Sequence, residues 1–274
     1  MKVLVTGANG MLGQDLCPIL EDLDYEVIET DINNLDIINE LLTYKVMSNE
    51  KPDVVIHCAA YTNVDKAEEE FEQAKLINVV GTENVAKACA KNDAILVYVS
   101  TDYIFDGKKQ APYEVDDKPN PINNYGLTKF QGEEVVKKYC KDYYIARTSW
   151  LYGHHGKNFV ETMIAHKNDE ILKVVNDQIG CPTWTVELAN GIIKMLEEFE
   201  YGTYHICGSG QTSWYEFAKE IFEYLDISVN LQSCKTEDYP RPAKRPQYSA
   251  MNNHKICRNW KQALHDYLDL RIEE

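Results

Sequence analysis

The feature that most restricts how this chain can fold is an alternation, through its first half, of short apolar segments with longer amphipathic ones. The apolar segments are rich in β-branched residues and span residues 2–6, 25–30, 53–60, 94–100 and 143–148. Helical spacing of apolar residues fills the intervals 11–23, 37–49, 71–92 and 125–140. Strands buried on both faces have this near-continuous hydrophobicity, and strands that alternate with helices form parallel sheets. The pattern therefore predicts an α/β fold with a doubly wound parallel sheet.

A glycine-rich loop joins the first predicted strand to the first predicted helix. Gly7, Gly10 and Gly13 have G-x-x-G-x-x-G spacing, which differs from G-x-G-x-x-G. Glycines in such a loop let the backbone turn tightly and approach a pyrophosphate at the positive end of a helix. Three glycines also suit an ordinary strand-to-helix turn. Their place directly after the first strand favours a Rossmann-like dinucleotide site.

Asp31 supports this interpretation, because it ends the second predicted strand, where an acidic residue receives the 2′-hydroxyl of an adenosine ribose. The alternative is an ordinary turn residue. A carboxylate at this place would repel a 2′-phosphate, and no Arg or Lys lies close to it in the sequence. The sequence therefore favours NADH as cofactor, with NADPH as the alternative.

The alternation loosens after Trp150. We predict further helices at 158–167, 185–199 and 213–225, further strands at 171–175 and 202–206, a proline-rich loop at 240–246 and a short closing helix. The predicted division is a dinucleotide-binding domain at 1–150 and a smaller α/β substrate lobe at 151–274. Parts of 171–206 are expected to return to the Rossmann-like sheet.

The formal net charge of −16 argues against nucleic acids and anionic membranes as partners, because both attract basic surfaces. Eight cysteines are scattered singly, without CxxC or His at metal spacing, so neither a zinc site nor a disulfide framework is predicted. The N-terminus lacks a signal-peptide pattern and no apolar run approaches 18 residues, so we expect a cytoplasmic protein.

Two Tyr–Lys pairs have the spacing that places both side chains on one helix face: Tyr125 with Lys129, and Tyr215 with Lys219. An ammonium beside a phenol stabilises the phenolate and lowers the pKa of the tyrosine from its ordinary value of about 10. Such a pair can act as a general acid. The same spacing also suits an ordinary amphipathic helix, so spacing alone does not tell the two pairs apart.

Four motifs occur in order along the chain: GANGMLG, HCAAYTNVD, STDYIFDG and YGLTK. RTSWLYG, DQIGCPT and PAKRPQYS follow and extend the match over nearly the whole length. With this ordered set the chain resembles the extended short-chain dehydrogenase/reductase superfamily and, within it, the dTDP-4-dehydrorhamnose reductases. The resemblance implies an oxidoreductase of dTDP-rhamnose biosynthesis. Its reaction would be the reduction of the 4-keto group of dTDP-4-dehydro-L-rhamnose to dTDP-L-rhamnose by NAD(P)H.

The resemblance also implies the functional residues. The catalytic set is Thr101, Tyr125 and Lys129, with Tyr125 as the proton donor and Ser100 as the alternative to Thr101. The cofactor set, to which Tyr125 and Lys129 also belong, is Gly7, Asn9, Gly10, Met11, Leu12, Gly13, Asp31, Asp36, Ala59, Ala60, Tyr61 and Asn78. The substrate set is Thr101, Asp102, Tyr103, Trp150, Asn158, Phe159, Val160 and Arg245.

Several of these positions also have ordinary structural interpretations. Asp102 and Tyr103 could simply follow a strand, Trp150 could pack in a core, and residues 158–160 could begin a helix. Some of these reductases dimerise through carboxylate-bound magnesium. Only Asp15 stands out here as a ligand, so we predict no metal and either a monomer or a homodimer.

The proline-rich loop carries the densest basic cluster that is not visibly balanced by carboxylates: Arg241, Lys244 and Arg245. An arginine donates two hydrogen bonds at once to a diphosphate, and Arg245 lies in the stretch that matches the family. We therefore predict Arg245 as the contact of the sugar nucleotide's diphosphate. The alternative is a solvated loop that pairs with the acidic surface.

Two other functions compete with reduction. One is a nucleotide-sugar epimerase or dehydratase of the same superfamily, which retains its NAD. The chain is short for that class, and STDYIF offers Asp102 without a following Glu. The other is a non-catalytic regulatory subunit that binds the dinucleotide, which the intact Tyr125 and Lys129 pair disfavours.

Overall fold

The computed structural model describes residues 1–273. The strands in chain order are β1 (Lys2–Thr6), β2 (Glu26–Thr30), β3 (Val54–His57), β4 (Ile95–Thr101), β5 (Tyr143–Thr148), β6 (Leu151–Tyr152), β7 (Leu172–Val175), β8 (Ile179–Gly180), β9 (Thr183–Trp184), β10 (Gly202–His205), β11 (Thr212–Ser213) and β12 (Leu231–Cys234). The helices are α1 (Met11–Asp22), α2 (Glu40–Glu50), α3 (Phe71–Lys75), α4 (Thr82–Lys91), α5 (Asn124–Tyr139), α6 (Phe159–Ala165), α7 (Thr185–Glu198), α8 (Trp214–Tyr224) and α9 (Trp260–Glu273).

Six of these strands form one parallel sheet in the order β10-β5-β4-β3-β1-β2. The chain moves from β1 to β2 on one side and then returns to β3 on the other, so the direction of winding reverses between β1 and β3. Alternate residues of β1 enter different cores: Val3 and Val5 pack with α1 and α7, whereas Leu4 packs with α2, α4 and α5. The doubly wound, Rossmann-like fold predicted from the apolar segments is confirmed.

The smaller lobe has its own apolar core, built from β7 and helices α6, α8 and α9. Two segments after Trp150 lie with the main sheet instead. Strand β10 pairs with β5, and α7 packs its apolar face on α1 through Leu188 and Ile192. Strand β7 pairs with β12 within the lobe. Among residues 1–273, no helix has the length and apolar character needed to cross a membrane.

Some elements differ from those predicted. The segment expected as one helix at 71–92 is divided, because a π-helical turn over Leu76–Gly81 separates α3 from α4. The closing helix α9 has 14 residues and is not short. The two-residue strands β6, β8, β9 and β11 were not predicted, because a pair of residues is too brief for a period of two to show in the sequence. Strand β12 was not predicted either, because none of its four residues is fully buried and it has no apolar run.

Candidate active site

A cavity of about 770 Å³ opens at the carboxyl edge of the sheet, where β1, β3, β4 and β5 end. This is the switch point at which doubly wound folds bind their ligands. Its wall contains these residues predicted from the sequence: Gly7, Gly10, Met11, Leu12, Gly13, Asp31, Asp36, Ala59, Ala60, Thr101, Asp102, Tyr103, Tyr125, Lys129 and Trp150. The glycine loop and the Tyr–Lys pair of α5 therefore face one common cavity.

The backbone of the glycine loop is packed so closely that Gly7 and Gly13 have no room for side chains. Gly7 has φ of +68°, and a Cβ on it would lie 2.8 Å from the backbone nitrogen of Ala59. A Cβ on Gly13 would lie 2.5 Å from the carbonyl oxygen of Ala8. Gly10 precedes α1 without a side-chain cap, which leaves the helix N-terminus to a ligand. The residues present at this loop suit a pyrophosphate.

Asp31 links the glycine loop to the end of β2. One carboxylate oxygen accepts a hydrogen bond from the backbone N–H of Asn9 at 3.1 Å, and the other accepts one from Ile32 at 2.7 Å. Asn9 itself is not part of the cavity wall. Beside Asp31 the wall has an apolar surface formed by Ile32, Leu35, Ile37 and Ile38. This surface was not predicted from the sequence. An acidic group next to an apolar surface suits a ribose followed by a planar base.

Asn78 fixes the loop that follows β3. It lies in the π-helical turn, where its side-chain oxygen accepts from the N–H of Tyr61 at 2.8 Å. Its amide nitrogen donates to the carbonyl of Tyr61 at 3.1 Å and to the hydroxyl of Thr128 at 3.0 Å. Neither Asn78 nor Tyr61 forms part of the wall, and the phenol of Tyr61 donates to Glu70. The structure thus gives Asn78 a positioning contact to the loop that carries Ala59 and Ala60.

The three predicted catalytic residues come from two neighbouring elements. Thr101 is the last residue of β4; its hydroxyl donates to Asp102 at 3.1 Å and accepts from the N–H of Tyr103 at 3.2 Å. Tyr125 and Lys129 share the face of α5 that lies against β4. The Lys129 ammonium reaches the carbonyl oxygen of Val99 at 2.7 Å. All three side chains therefore meet at the end of one central strand.

The ionisation of the pair differs from the expectation. Burial raises the pKa of Tyr125 to about 12, against a smaller lowering by its hydrogen bond with Thr101. Burial lowers the pKa of Lys129 to about 7, against the attraction of Glu133. Loss of hydration is the largest influence on the Tyr125 phenol, so its pKa lies above the ordinary value and not below it as predicted. The phenol keeps its proton at neutral pH and can donate it.

A buried ion pair lies directly behind the predicted catalytic residues. Glu133, one turn after Lys129, accepts two hydrogen bonds from Arg147 at 2.9 and 2.8 Å and a third from the Ser100 hydroxyl at 2.6 Å. Both charged side chains are almost fully buried. A satisfied network of this kind holds its members in one geometry. It fixes α5 against the ends of β4 and β5.

Asp102 is a buried carboxyl with a near-neutral pKa. It is 2% exposed and accepts hydrogen bonds from the hydroxyls of Thr101 and Ser249. Burial raises the pKa of Asp102 to about 7, although both hydrogen bonds act in the opposite direction. Ser249 belongs to the PAKRPQYS stretch, so this hydrogen bond joins the C-terminal part of the chain to the residue that follows β4.

Trp150 lies against a second tryptophan that the sequence analysis did not select. Its ring stacks on Trp214 with centroids 3.5 Å apart and planes within 7°. Trp150 has φ of +47°, which is unusual for a large residue, and Gly180 leaves room for its indole. Trp214 begins α8 and donates its N–H to Gln178 at 3.2 Å. Both indoles line the cavity and form an aromatic wall.

Three predicted substrate residues lie beside the cavity and not on its wall. Asn158 caps α6 by accepting from the N–H of Glu161 at 3.1 Å. The ring of Phe159 contacts Trp214, with centroids 4.6 Å apart. The side chain of Val160 is fully buried in the core of the lobe, and a contact of Val160 with the substrate stays a prediction. Phe159 therefore supports the aromatic wall from behind.

Arg245 has a carboxylate partner, contrary to the expectation for the basic loop. Its guanidinium donates twice to Asp65, with both distances 2.9 Å. Asp65 is 180 positions away in sequence, which is why no local pattern reveals the pair. Arg245 is not among the wall residues, so its contact with a diphosphate stays a prediction.

Other wall residues went unnoticed in the sequence because single polar or apolar side chains carry no pattern. They include Cys58, Thr62, Val64, Gln73, Ile77, Val99, Thr148, Ser149, Leu151, Lys157 and Trp214. Ser100, the alternative to Thr101, also lies on the wall. Asp15, the residue considered as a metal ligand, faces His155 at 3.4 Å and accepts from the hydroxyl of Thr185. Within residues 1–273 no group of three or more His, Cys, Asp or Glu side chains is arranged to hold a metal ion.

Comparison with known proteins points in one direction. A profile of the family described as the RmlD substrate binding domain matches residues 1–271. The spore coat polysaccharide biosynthesis protein SpsK of Bacillus subtilis is 41% identical over 98% of this chain and 98% of that protein. A solved dTDP-4-dehydrorhamnose reductase of Clostridium acetobutylicum is 47% identical, with a TM-score of 0.97 over 99% of this chain and 100% of that one. A reductase of the same name from Bacillus anthracis, solved in complex with NADP, is 41% identical, with a TM-score of 0.95 over 100% and 99%.

Proposed function

The chain belongs to the family of the RmlD substrate binding domain, and we propose that Tyr125 gives the proton while NAD(P)H gives the hydride in its reaction. The reaction is the reduction of the 4-keto group of dTDP-4-dehydro-L-rhamnose to dTDP-L-rhamnose, as in its dTDP-4-dehydrorhamnose reductase relatives. The observation that carries the assignment of roles is the common cavity. It brings Thr101, Tyr125 and Lys129 next to a glycine loop that suits a pyrophosphate.

The bound cofactor supplies a hydride at its nicotinamide ring. The glycine loop and the N-terminus of α1 would hold its pyrophosphate, Asp31 its adenosine ribose, and Lys129 the nicotinamide ribose. Reduction leaves charge on the former keto oxygen. A protonated Tyr125, with its pKa raised to about 12, can neutralise that charge by donating its proton. The hydroxyl of Thr101, which donates to Asp102 in the structure, would turn to donate to the same oxygen.

The aromatic wall and the carboxyl of Asp102 suit the sugar. An indole face covers the apolar side of a deoxyhexose ring, and Trp150 is held for that contact by Trp214 and Gly180. Asp102 and Tyr103 follow Thr101 directly and line the same end of the cavity. We assign these residues to the sugar, on the opposite side of the catalytic groups from the glycine loop.

Asp31 is the basis for a preference for NADH over NADPH. Its carboxylate lies on the wall, and of the described wall residues the cations are Lys129 and Lys157, neither of them next to Asp31 in sequence. A 2′-phosphate would meet a negative charge there. Use of NAD(P)H as a class agrees with the relative that was solved with NADP.

The preference is tested by the ratio of kcat/KM values for NADH and NADPH. We expect wild type to favour NADH, and Asp31→Ala to narrow or reverse that ratio, because it removes both the ribose contact and the repulsion. A wild-type enzyme that favours NADPH tenfold would contradict the role assigned to Asp31.

The reaction itself is tested by following NADH absorbance with dTDP-4-dehydro-L-rhamnose generated in situ. Oxidation of one NADH per sugar, with dTDP-L-rhamnose as product, supports the proposal. Tightly retained NAD without net oxidation would instead point to an epimerase or dehydratase. Binding of NADH without turnover of any 4-keto sugar nucleotide would point to a regulatory subunit.

A further inference from the structure

The cavity has an unusual charge balance for its ligands. Its wall carries the carboxyl groups of Asp31, Asp36 and Asp102, while the ligands proposed above bring two diphosphates. The cations among the described wall residues are Lys129 and Lys157. The glycine loop and the N-terminus of α1 offer a pyrophosphate only partial positive charge, and a cation on the wall would add a fully charged partner.

Lys129 is poorly placed to be that partner. Its side chain is buried, 3% exposed, and its ammonium donates to the carbonyl of Val99 at the catalytic end of the cavity. Lys157 is exposed, and within the described part of the chain no ion pair involves it. Its charge is therefore available to a ligand at low cost, because no existing partner must be released.

The loop that carries Lys157 comes from the smaller lobe and is held against α1. The imidazole of His155 lies 3.4 Å from one carboxylate oxygen of Asp15, and the other oxygen accepts from the hydroxyl of Thr185. The loop ends where Asn158 caps α6 and donates to the carbonyl of Gly153 at 2.7 Å. Contacts at both ends thus define the path of residues 153–158.

This path runs beside the glycine loop. Gly156 has φ of +98°, and a Cβ on it would lie 4.0 Å from the terminal methyl of Met11, the first residue of α1. Lys157 is the next residue and shares the cavity wall with Gly10 and Met11. From this placement we infer that Lys157 binds the pyrophosphate of the dinucleotide, so that the smaller lobe completes the cofactor site.

The position separates this role from two others. A 2′-phosphate would lie at Asp31, at the end of β2, whereas Lys157 follows the residue that faces Met11. The sugar nucleotide is assigned to the side of Thr101, Asp102 and Trp150. The inference rests on the proposed use of a nicotinamide dinucleotide, and it adds a contact made across the two lobes.

The test is direct binding of NADH to the full-length protein, without sugar nucleotide, by fluorescence titration of wild type, Lys157→Ala, Lys157→Arg and Lys167→Ala. Lys167 is the matched control, because it is exposed in the same lobe and lies outside the cavity wall. We expect Lys157→Ala to raise the Kd for NADH about tenfold, the low end for a hydrogen bond to a charged group at an exposed position. Lys157→Arg should restore most of the affinity, and Lys167→Ala should leave it unchanged.

Two further probes locate the contact. ADP-ribose carries the pyrophosphate and should lose affinity as NADH does, whereas adenosine should bind wild type and Lys157→Ala equally. Salt should weaken NADH binding to wild type more than to Lys157→Ala, because the screened charge has been removed.

Equal Kd values for Lys157→Ala and Lys167→Ala would overturn the inference. A loss of affinity for NADPH but not for NADH would also overturn it, because that result would place Lys157 at the 2′-phosphate. So would an unchanged Kd for NADH together with a raised KM for the sugar nucleotide. Because NADH binding is measured without turnover, the two proposals can fail separately. If wild type reduces no keto sugar while Lys157→Ala binds NADH more weakly than wild type, the proposed reaction is refuted and the contact between Lys157 and the pyrophosphate is supported.

Discussion

Helices α5 and α8 carry the same local sequence pattern and have different surroundings. Each begins after a capping side chain: Asn123 accepts from the N–H of Gly126 at 2.8 Å, and Ser213 accepts from Glu216 at 3.0 Å. In each, a tyrosine is the second helical residue and a lysine follows four positions later. Capping, spacing and residue types thus agree between the two helices.

The difference lies in what each lysine meets. Lys129 is buried against β4 and its pKa is lowered to about 7. Lys219 is exposed and pairs with Glu223 at 3.7 Å on the outer surface of the lobe. Helix α5 packs against β4 and β5 of the six-stranded sheet, whereas α8 packs within the smaller lobe and reaches the cavity through Trp214. The comparison teaches that this spacing becomes chemically useful only through the element against which the helix packs.

The sharpest way to break the comparison is to remove each phenol hydroxyl. Tyr125→Phe keeps the ring and deletes the proton donor, so we expect kcat to fall by about 10²–10⁴-fold with NADH binding nearly unchanged. Tyr215→Phe is the matched control and should retain wild-type kcat. Steady-state NADH oxidation measures both. Equal activity of the two variants would show that the catalytic assignment to Tyr125 is wrong.

Replacing each lysine should also lower kcat only in α5, and by a smaller factor than the tyrosine variant does. Lys129→Met removes the cation that we propose to hold the nicotinamide ribose, so we expect kcat to fall about 10–10²-fold and the KM for NADH to rise. Lys219→Met removes an exposed ion pair, and its free energy of unfolding should change by less than about 0.5 kcal/mol. A Lys129→Met enzyme with the kinetics of Lys219→Met would contradict the role of Lys129.

The buried side chains of Lys129 and Asp102 should also make the free energy of unfolding depend on pH. Lys129 has a lowered pKa, so above pH 7 the unfolded chain binds more protons than the folded one, and the free energy of unfolding should rise with pH from about 7 to 10. Asp102 has a raised pKa, so between about pH 4 and 7 the folded chain binds more protons than the unfolded one. Its contribution to the free energy of unfolding should therefore fall as the pH rises through this range.

Urea unfolding across this pH range separates the two groups. In Lys129→Met the free energy of unfolding should no longer rise between about pH 7 and 10. In Asp102→Asn it should no longer fall between about pH 4 and 7. We expect each of these changes to amount to about 1–3 kcal/mol in wild type. Lys219→Met should keep the wild-type profile. An unchanged profile in both of the first two variants would mean that neither group is as buried as the structure has it.

The smallest effect concerns the caps, which the two helices share most closely. Asn123→Ala and Ser213→Ala should each lower the free energy of unfolding by about 1 kcal/mol. Asn123 also donates to the carbonyl of Lys244 at 2.7 Å. Only Asn123→Ala should reduce kcat as well, by a few-fold, because it loosens the start of the helix that carries Tyr125. Equal kcat in both cap variants would show that the cap of α5 does not position Tyr125.

Much of the fold follows from the sequence because its signals are local. The strands at 2–6 and 143–148 coincide with β1 and β5, since buried parallel strands need continuous apolar runs. The glycine loop and Asp31 were identifiable because a strand, a turn and a helix leave a compact pattern. Strand β12 was missed because its four residues are partly or fully exposed and therefore form no apolar run.

The site was identified less completely, for the same reason. Trp214 reaches the cavity only because α8 packs beside Trp150, and no period in the sequence records that contact. Arg245 appeared free in the sequence because Asp65 becomes its neighbour only on folding. Val160 appeared available because burial in the core of the lobe cannot be read from the start of a short helix.

The sequence by itself determined the order of strands and helices, the glycine loop, and two capped helices with a Tyr–Lys pair each, because all of these depend on residues a few positions apart. Tertiary structure decided which pair is buried beside the glycine loop, which charges are paired, and the direction of each pKa. Those properties depend on distance and hydration between residues far apart in the chain. Burial raises the pKa of Tyr125 and lowers that of Lys129, whereas nothing in the four-residue spacing fixes either sign.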